Sequence, residues 1–311
     1  MDEKMQKTLV NVLILVVLLF GLLVVLIFTG ILGCNSVPFG CDAYYTILKG
    51  GQPSILIAYG ANGLGNYEKL EAVLSDRSLV NARARAMSID KLSQGNVNDF
   101  DLIIVEEAKQ ICSDKLKMFQ NYVIKGGRLI WTADAGTELC EEDSYLLESE
   151  REVDGEEVPI GPWARRDGSK QLSFDEFLGV NFKGNVCDLT ECTPGEEIGR
   201  IEVLDDEHKL TYGLSPSIPY SGNFSVVKTN SSGTTTIVSI IDYGFDFLAT
   251  PSGQPWLSEE RTNFGKNLPF IITSGVGERV AYYAAPIESF VEGEQPYKAM
   301  IEQLYYGMLY N

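Results

Sequence analysis

The 311-residue chain is 45% hydrophobic and carries 43 acidic against 25 basic side chains, a formal charge of −18. That length supports one substantial core or two small ones, and the acidity excludes nucleic acid as a partner, which needs a basic footprint. One histidine, His208, and the absence of any C-x2-C pair exclude a structural zinc site.

Leu9 to Leu32 is apolar apart from Asn11, Gly21, Thr29 and Gly30. As a helix this run is about 36 Å long, enough to cross a hydrocarbon core of about 30 Å. A cleaved signal peptide has an apolar stretch of only about 7–15 residues, and a buried soluble helix would show a polar face. We therefore expect a cytoplasmic tail at 1–7, a transmembrane signal-anchor at 8–33 and a tether at 34–52. Ile31-Leu32-Gly33-Cys34 resembles a bacterial lipoprotein box, so lipidation of Cys34 is the competing fate.

Topology follows from charge and cysteine. Lys4 and Lys7 precede the helix, and no Lys or Arg follows it until Lys49. The cysteines, at 34, 41, 112, 140, 187 and 192, all lie beyond the helix. Cys34/Cys41 and Cys187/Cys192 are spaced for small disulfide loops in an oxidising compartment. Asn223-Phe224-Ser225 and Asn230-Ser231-Ser232 are glycosylation sequons. Together these predict an inside N-terminus and an extracytoplasmic, glycosylated domain. A reduced cytosolic domain with scattered thiols is the alternative.

The globular part, 53–311, starts on a continuous apolar strand, Ser54 to Tyr59, then the turn Gly60 to Asn66 and a helix from Tyr67 to Leu79. Strands at Ala82–Ile89 and Phe100–Val105 follow. Ser113 is a candidate cap for a helix that Gly126-Gly127 stops, and Arg128 to Trp131 makes the next strand. Alternation of this kind predicts a parallel sheet with helices on both faces. Sites in such sheets lie beyond the carboxyl ends of the strands, which puts Asn62, Gly63, Glu106, Glu107 and Asp134 on one rim. Glu141 to Glu157 has nine acids against one arginine and no apolar period, so 141–170 reads as an exposed acidic insertion. "FDEFLGVNF" supplies a short helix and an apolar anchor. Ile198–Val203, Phe224–Lys228 and Thr234–Ile241 read as strands, the last two joined by a "TNSSGT" hairpin turn. Phe270–Ser274 pairs with Arg279–Ala284, and a final helix places Met300, Ile301, Leu304, Tyr305 and Met308 on one side.

The helix ended by Gly-Gly, the strand and small-residue turn "LIWTADAG", the "FLGVNF" segment, "EHKLTYGL" and the terminal G-x-G-x-R-V-x-Y hairpin and helix occur in a familiar order. The chain resembles the class I glutamine amidotransferase-like superfamily, especially its ThuA-like and gliding-motility or intraflagellar-transport-like branches. The resemblance implies a flavodoxin-like α/β fold with added C-terminal β-hairpins. "EHKLTYGL" resembles the HP-[LI]-T-x-G-L segment of that group, with Lys209 where proline is usual. The amidotransferase elbow reads G-x-C-x-G; Thr132-Ala133-Asp134-Ala135-Gly136 stands in its place, with aspartate in the nucleophile slot. No cysteine sits on the elbow, and His208 does not correspond to the catalytic His-x-Glu, so thiol chemistry fails on inventory. In a flavodoxin-like order Cys112 and Cys140, each just past a strand end, come close enough to bridge.

Asp134 has two readings: a carboxylate nucleophile or base working with Glu106 or Glu107, or a cap on its own turn. An oxygen-ligand metal site from Asp134, Glu106 and Asn62 is a third option. The loop Gly60 to Gly65 lacks the spacing and the Lys-Ser/Thr ending of a phosphate loop, and no cofactor or metal motif is present. The leading expectation is a membrane-anchored, non-catalytic binding or assembly module, a pseudoenzyme recognising a protein partner or a glycan. The alternatives are a carbohydrate-processing or metal-assisted hydrolase using Asp134 and a rim glutamate, and a structural component of a larger membrane complex.

Overall fold

The computed structural model describes residues 3–28, 51–76, 78–80, 82–190, 192, 197–230, 233–242, 255–257, 267–291 and 298–309. Its contacts divide the chain into two units, Met1–Gln52 and Pro53–Asn311. In the first, helix α1 (Glu3–Phe28) contains one stretch long and apolar enough to cross a membrane, Thr8–Leu26. No charged residue interrupts that stretch, and its Leu, Val and Ile side chains are largely exposed. An apolar surface on every face is suited to lipid. Cys34, Cys41 and most of the expected tether lie outside the described residues.

The second unit is built on a nine-stranded sheet. Its elements run β1 (Ser54–Tyr59), α2 (Tyr67–Ser75), β2 (Arg83–Ser88), β3 (Leu102–Glu106), α3 (Ser113–Ile124), β4 (Leu129–Thr132), β5 (Asp143–Tyr145), β6 (Ala164–Asp167) and β7 (Lys170–Ser173). They continue as α4 (Phe174–Leu178), β8 (Val180–Asn185), β9 (Gly199–Val203), β10 (Ser217–Tyr220), β11 (Ser225–Thr229), β12 (Thr234–Asp242), β13 (Asn267–Ser274), β14 (Val280–Tyr283) and α5 (Lys298–Leu309). The order across the sheet is β10-β9-β12-β13-β14-β4-β3-β1-β2. From β14 to β2 all neighbours are parallel, and from β14 to β10 all are antiparallel. This is the α/β architecture with added hairpins that the sequence predicts.

The apolar runs explain the placement. Every residue of β3, β4 and β14 is buried, as expected for central strands covered on both faces. The edges are blunted: β2 exposes Arg83 and Arg85, and β10 exposes Pro219. Helix α3 buries Leu116, Phe119, Tyr122 and Val123, and it stops where Gly126 turns left-handed at φ 105°. Its start differs from expectation. Ser113 is the first helical residue, not the cap, and its amide donates to the Asp143 carboxylate at 3.0 Å.

Two further expectations are corrected. "TNSSGT" is not a hairpin turn, because β11 pairs with β8 in a separate two-stranded sheet while β12 pairs with β9 and β13. The 141–170 stretch is not a bare loop: β5, β6 and β7 form an antiparallel sheet that buries Leu146, Trp163 and Arg165. Its order comes from partners distant in sequence, so no local period announces it.

Candidate functional site

Strands β1, β3 and β4 end on one rim. The crossover from β1 goes to β2 on one side and the chain then returns to β3 on the other, which makes the β1/β3 junction the place where an α/β sheet normally opens a crevice. Here backbone ladders fill it. Gly60 donates to the Glu107 carbonyl, Glu107 to Leu64, Lys109 to Ala61, Gly136 to Ala108 and Glu138 to Lys109, at 2.8–3.2 Å. Gly63 is pressed so closely to the next loop that a Cβ there would stand 2.6 Å from the Ala108 nitrogen. A disulfide joins Cys112 to Cys140 across the same loops, with Cα atoms 5.3 Å apart.

The turn after β4 holds the elbow. Its left-handed residue is Ala133, at φ 48°, one position before Asp134. Non-glycine residues adopt that conformation at a cost of about 1–3 kcal/mol, and a strained strand-end residue is the position that presents a nucleophile. The apex expected at Asp134 therefore falls on an alanine, whose methyl group offers no chemistry. Residues 133–136 form a turn and no helix follows, so the elbow lacks a helix N-terminus aimed at a substrate.

The carbonyls around the apex are engaged, while the buried Thr132 hydroxyl has no partner among the described residues. The Ala133 amide donates to the Tyr283 carbonyl at 2.7 Å, and its carbonyl accepts from the Tyr282 hydroxyl at 3.0 Å. The Ala135 carbonyl accepts from both Trp131 Nε1 and Trp163 Nε1, at 2.9 and 2.8 Å. Arg165, fully buried, fans its guanidinium over the carbonyls of Ile111, Gly136, Glu138 and Pro162 and pairs with Asp143 at 3.2 Å. Burial lowers its pKa to about 10, against the opposing pull of Asp143, so it stays charged at neutral pH.

Asp134 is 2% exposed, and neither carboxylate oxygen faces an open pocket. Oδ1 accepts from the Leu64 amide at 2.7 Å and Oδ2 from Asn185 Nδ2 at 3.1 Å. Asn185 in turn accepts from the Ser225 hydroxyl at 2.8 Å. The side chain does not cap its own turn, as one reading expected; the Asp134 carbonyl takes the Thr137 amide and hydroxyl instead. The carboxylate bolts the loop after β1 and strand β8 to the elbow.

Glu106 and Glu107 take other partners. Glu106 is fully buried, and its Oε1 accepts from the Asn66 amide at 3.1 Å. The same amide donates to Glu288 Oε1 at 2.8 Å. Burial raises the Glu106 pKa well above the carboxylate range, and the adjacent Glu288 raises it further. Glu107, left-handed at φ 51°, accepts from the Tyr67 amide at 3.2 Å. Among the described residues no hydrogen bond joins Asp134 to either glutamate, and each of the three carboxylates accepts from a backbone amide of the loop after β1 or the start of α2. Asn62 is exposed and left-handed at φ 63°. Among the described residues no three His, Cys, Asp or Glu side chains form a metal-holding group.

The remaining candidates spread outward. Cys187 and Cys192 are bonded. Asn223 Oδ1 accepts from the Cys187 amide, and Asn223 borders a cleft of about 350 Å³ together with Asn66, Lys69, Tyr220, Glu288 and Ser289. Asn230 donates its amide to the Asp175 carbonyl at 3.0 Å, a bond that a glycan there would displace. His208 pairs with Glu278 at 3.0 Å beyond the amino end of β14, the opposite end from the rim. Glu288, Asn185 and Arg165 are not distinguishable in the sequence. Each has a partner at least 22 positions away, and none carries a local pattern.

No protein-family model matches the chain, and no curated protein does. Among solved structures it is similar to a ThuA-like protein of Bacteroides uniformis, with a TM-score of 0.51 and 14% identity over 82% of this chain and 90% of that one. It is also similar to a β-galactosidase of Bacillus circulans sp. alkalophilus, with a TM-score of 0.50 and 11% identity over 82% of this chain and 30% of that one. The chain thus spans less than a third of that enzyme. A GMP synthase component of Thermoplasma acidophilum gives 0.45 and 9% over 83% of this chain and 94% of that one. The first two likenesses show the fold, an α/β sheet flanked by helices.

Proposed function

We propose that this chain is a membrane-anchored, extracytoplasmic binding or assembly module, an amidotransferase-like scaffold that performs no chemistry at its elbow. The observation that carries the reading is the filled rim. The strained apex is Ala133, its carbonyl and its neighbours' carbonyls are all taken, and the crevice is laced by backbone bonds and the Cys112–Cys140 disulfide. A hydrolytic site needs an open space within reach of a nucleophile or base and an oxyanion donor.

The apolar Thr8–Leu26 stretch supports anchoring. The two disulfides among the described residues and the basic residues before the apolar stretch support an outside domain with the N-terminus inside. The partner is a protein or a glycan met at the surface, and the high negative charge favours a basic or neutral one. Crosslinking in native membranes followed by affinity purification tests this. Recovery of a stoichiometric protein partner, or retention on an immobilised glycan, is the expected outcome. A lone monomer whose hydrolase activity disappears in Asp134→Ala refutes it.

A further inference from the structure

We propose that Glu106 and Glu288 share one proton and form a latch that holds the segment after β14 against the start of α2, so that loss of the proton releases one wall of the 350 Å³ cleft. The latch works whether the partner of the module is a protein or a glycan.

The geometry is specific. One backbone N–H, that of Asn66, donates to a carboxyl oxygen from each residue, at 3.1 and 2.8 Å. The two carboxyl groups are therefore neighbours on a single donor. Both are buried, Glu106 completely and Glu288 to within 4%. Gly65 lies so close to Glu106 that a Cβ would stand 2.6 Å from its Cγ, so the loop packs directly on that carboxyl. Two carboxylates this close in a dry site cannot both ionise.

The surroundings sharpen the point. Glu107, next in the chain, adds a further acidic group. From α5 comes Tyr305 and from β14 comes Tyr283, both fully buried or nearly so. The hydroxyls of both tyrosines, and Glu106 Oε2, have no hydrogen-bond partner among the described residues. Buried polar atoms left in this way mark a place where a proton or a water is held. Tyr305 is pushed far up in pKa by burial and then by Glu106, Tyr283 and Glu288, so it supplies a neutral hydroxyl and no compensating charge. Lys69, on α2, lines the same cleft as Glu288 and is the basic group of that wall.

The sign follows from linkage. A glutamate whose pKa is raised in the fold contributes stability that is fully present below its unfolded pKa of about 4.3, and that is lost as pH rises through the folded value. The latch is therefore closed at low pH and released as pH rises through the raised folded value. Each unit of pH through that window shifts the closed-to-open ratio by up to about tenfold.

The test uses the full chain in detergent micelles from about pH 5 to about pH 9, a span above the pKa of a free glutamate. Hydrogen exchange, corrected for the intrinsic pH dependence, is read on peptides covering 286–291 and, as reference, on β4. Protection of 286–291 should fall with rising pH while β4 stays constant. In Glu288→Gln, whose amide can donate to Glu106 without titrating, that fall should flatten; Glu107→Gln should keep it. An independent infrared titration of the wild-type chain should show a protonated carboxyl carbonyl band that disappears over the same pH interval in which 286–291 loses protection. Absence of any such coincident loss, or identical pH profiles in the wild type and Glu288→Gln, overturns the proposal.

Discussion

Asp134→Ala separates a structural bolt from a catalyst. The substitution deletes the acceptors of the Leu64 amide and of Asn185 Nδ2, which reach Asp134 at 2.7 and 3.1 Å. Hydrogen bonds to a charged group contribute about 1.5–3 kcal/mol each, and a donor left buried and unmatched costs about 1–3 kcal/mol. Leu64 is half-buried, so water can reach its amide in the variant, whereas Asn185 is buried. The expected loss is therefore about 3 kcal/mol, at the lower end of the summed range. Asp134→Asn keeps an acceptor for Leu64 but presents a donor to the Asn185 donor, and should lose about 1–2 kcal/mol. Guanidinium unfolding of the full chain, followed by fluorescence of the buried Trp131 and Trp163, reads both values. An unfolding midpoint in Asp134→Ala that stays within about 0.5 kcal/mol of the wild type would refute the bolting role, since surface substitutions behave that way.

Three more outcomes are expected. Replacing both Cys112 and Cys140 with serine opens a link between residues 28 apart, and the chain-entropy relation puts the loss at about 3.6 kcal/mol, measurable by the same unfolding experiment. Arg165→Leu strips the carbonyls of Ile111, Gly136 and Glu138 of their donor and leaves Asp143 without its ion-pair partner, costing about 3–5 kcal/mol. Arg165→Lys should recover little, because a single ammonium cannot match the guanidinium fan; thermal melts compare the two. Gly63→Ala drives a methyl into the Ala108 backbone and should lower stability by about 1–3 kcal/mol, with loss of hydrogen-exchange protection in the 60–66 loop.

The long apolar helix and the parallel half of the sheet were legible in the sequence because their signals are local. Continuous apolar runs at Leu9–Leu32, Ser54–Tyr59, Phe100–Val105 and Arg128–Trp131 report burial on all sides without reference to anything distant. The missing thiol at the elbow was legible for the same reason, as a matter of residue inventory. The 141–170 stretch was misread because its order depends on Trp163 and Arg165 reaching the loops after β3 and β4. Pairing of β11 with β8 instead of β12 likewise depends on contacts about forty residues apart.

What the sequence determined by itself is what this protein lacks at the elbow, and the order in which its strands and helices occur. The tertiary structure alone decided that the apex is Ala133, that Asp134 answers to Leu64 and Asn185, and that Glu106 meets Glu288 at a separation of more than 180 positions. Side-chain chemistry is written residue by residue. Whether two carboxyls share one proton depends on a fold that brings both to a single backbone N–H and keeps water away.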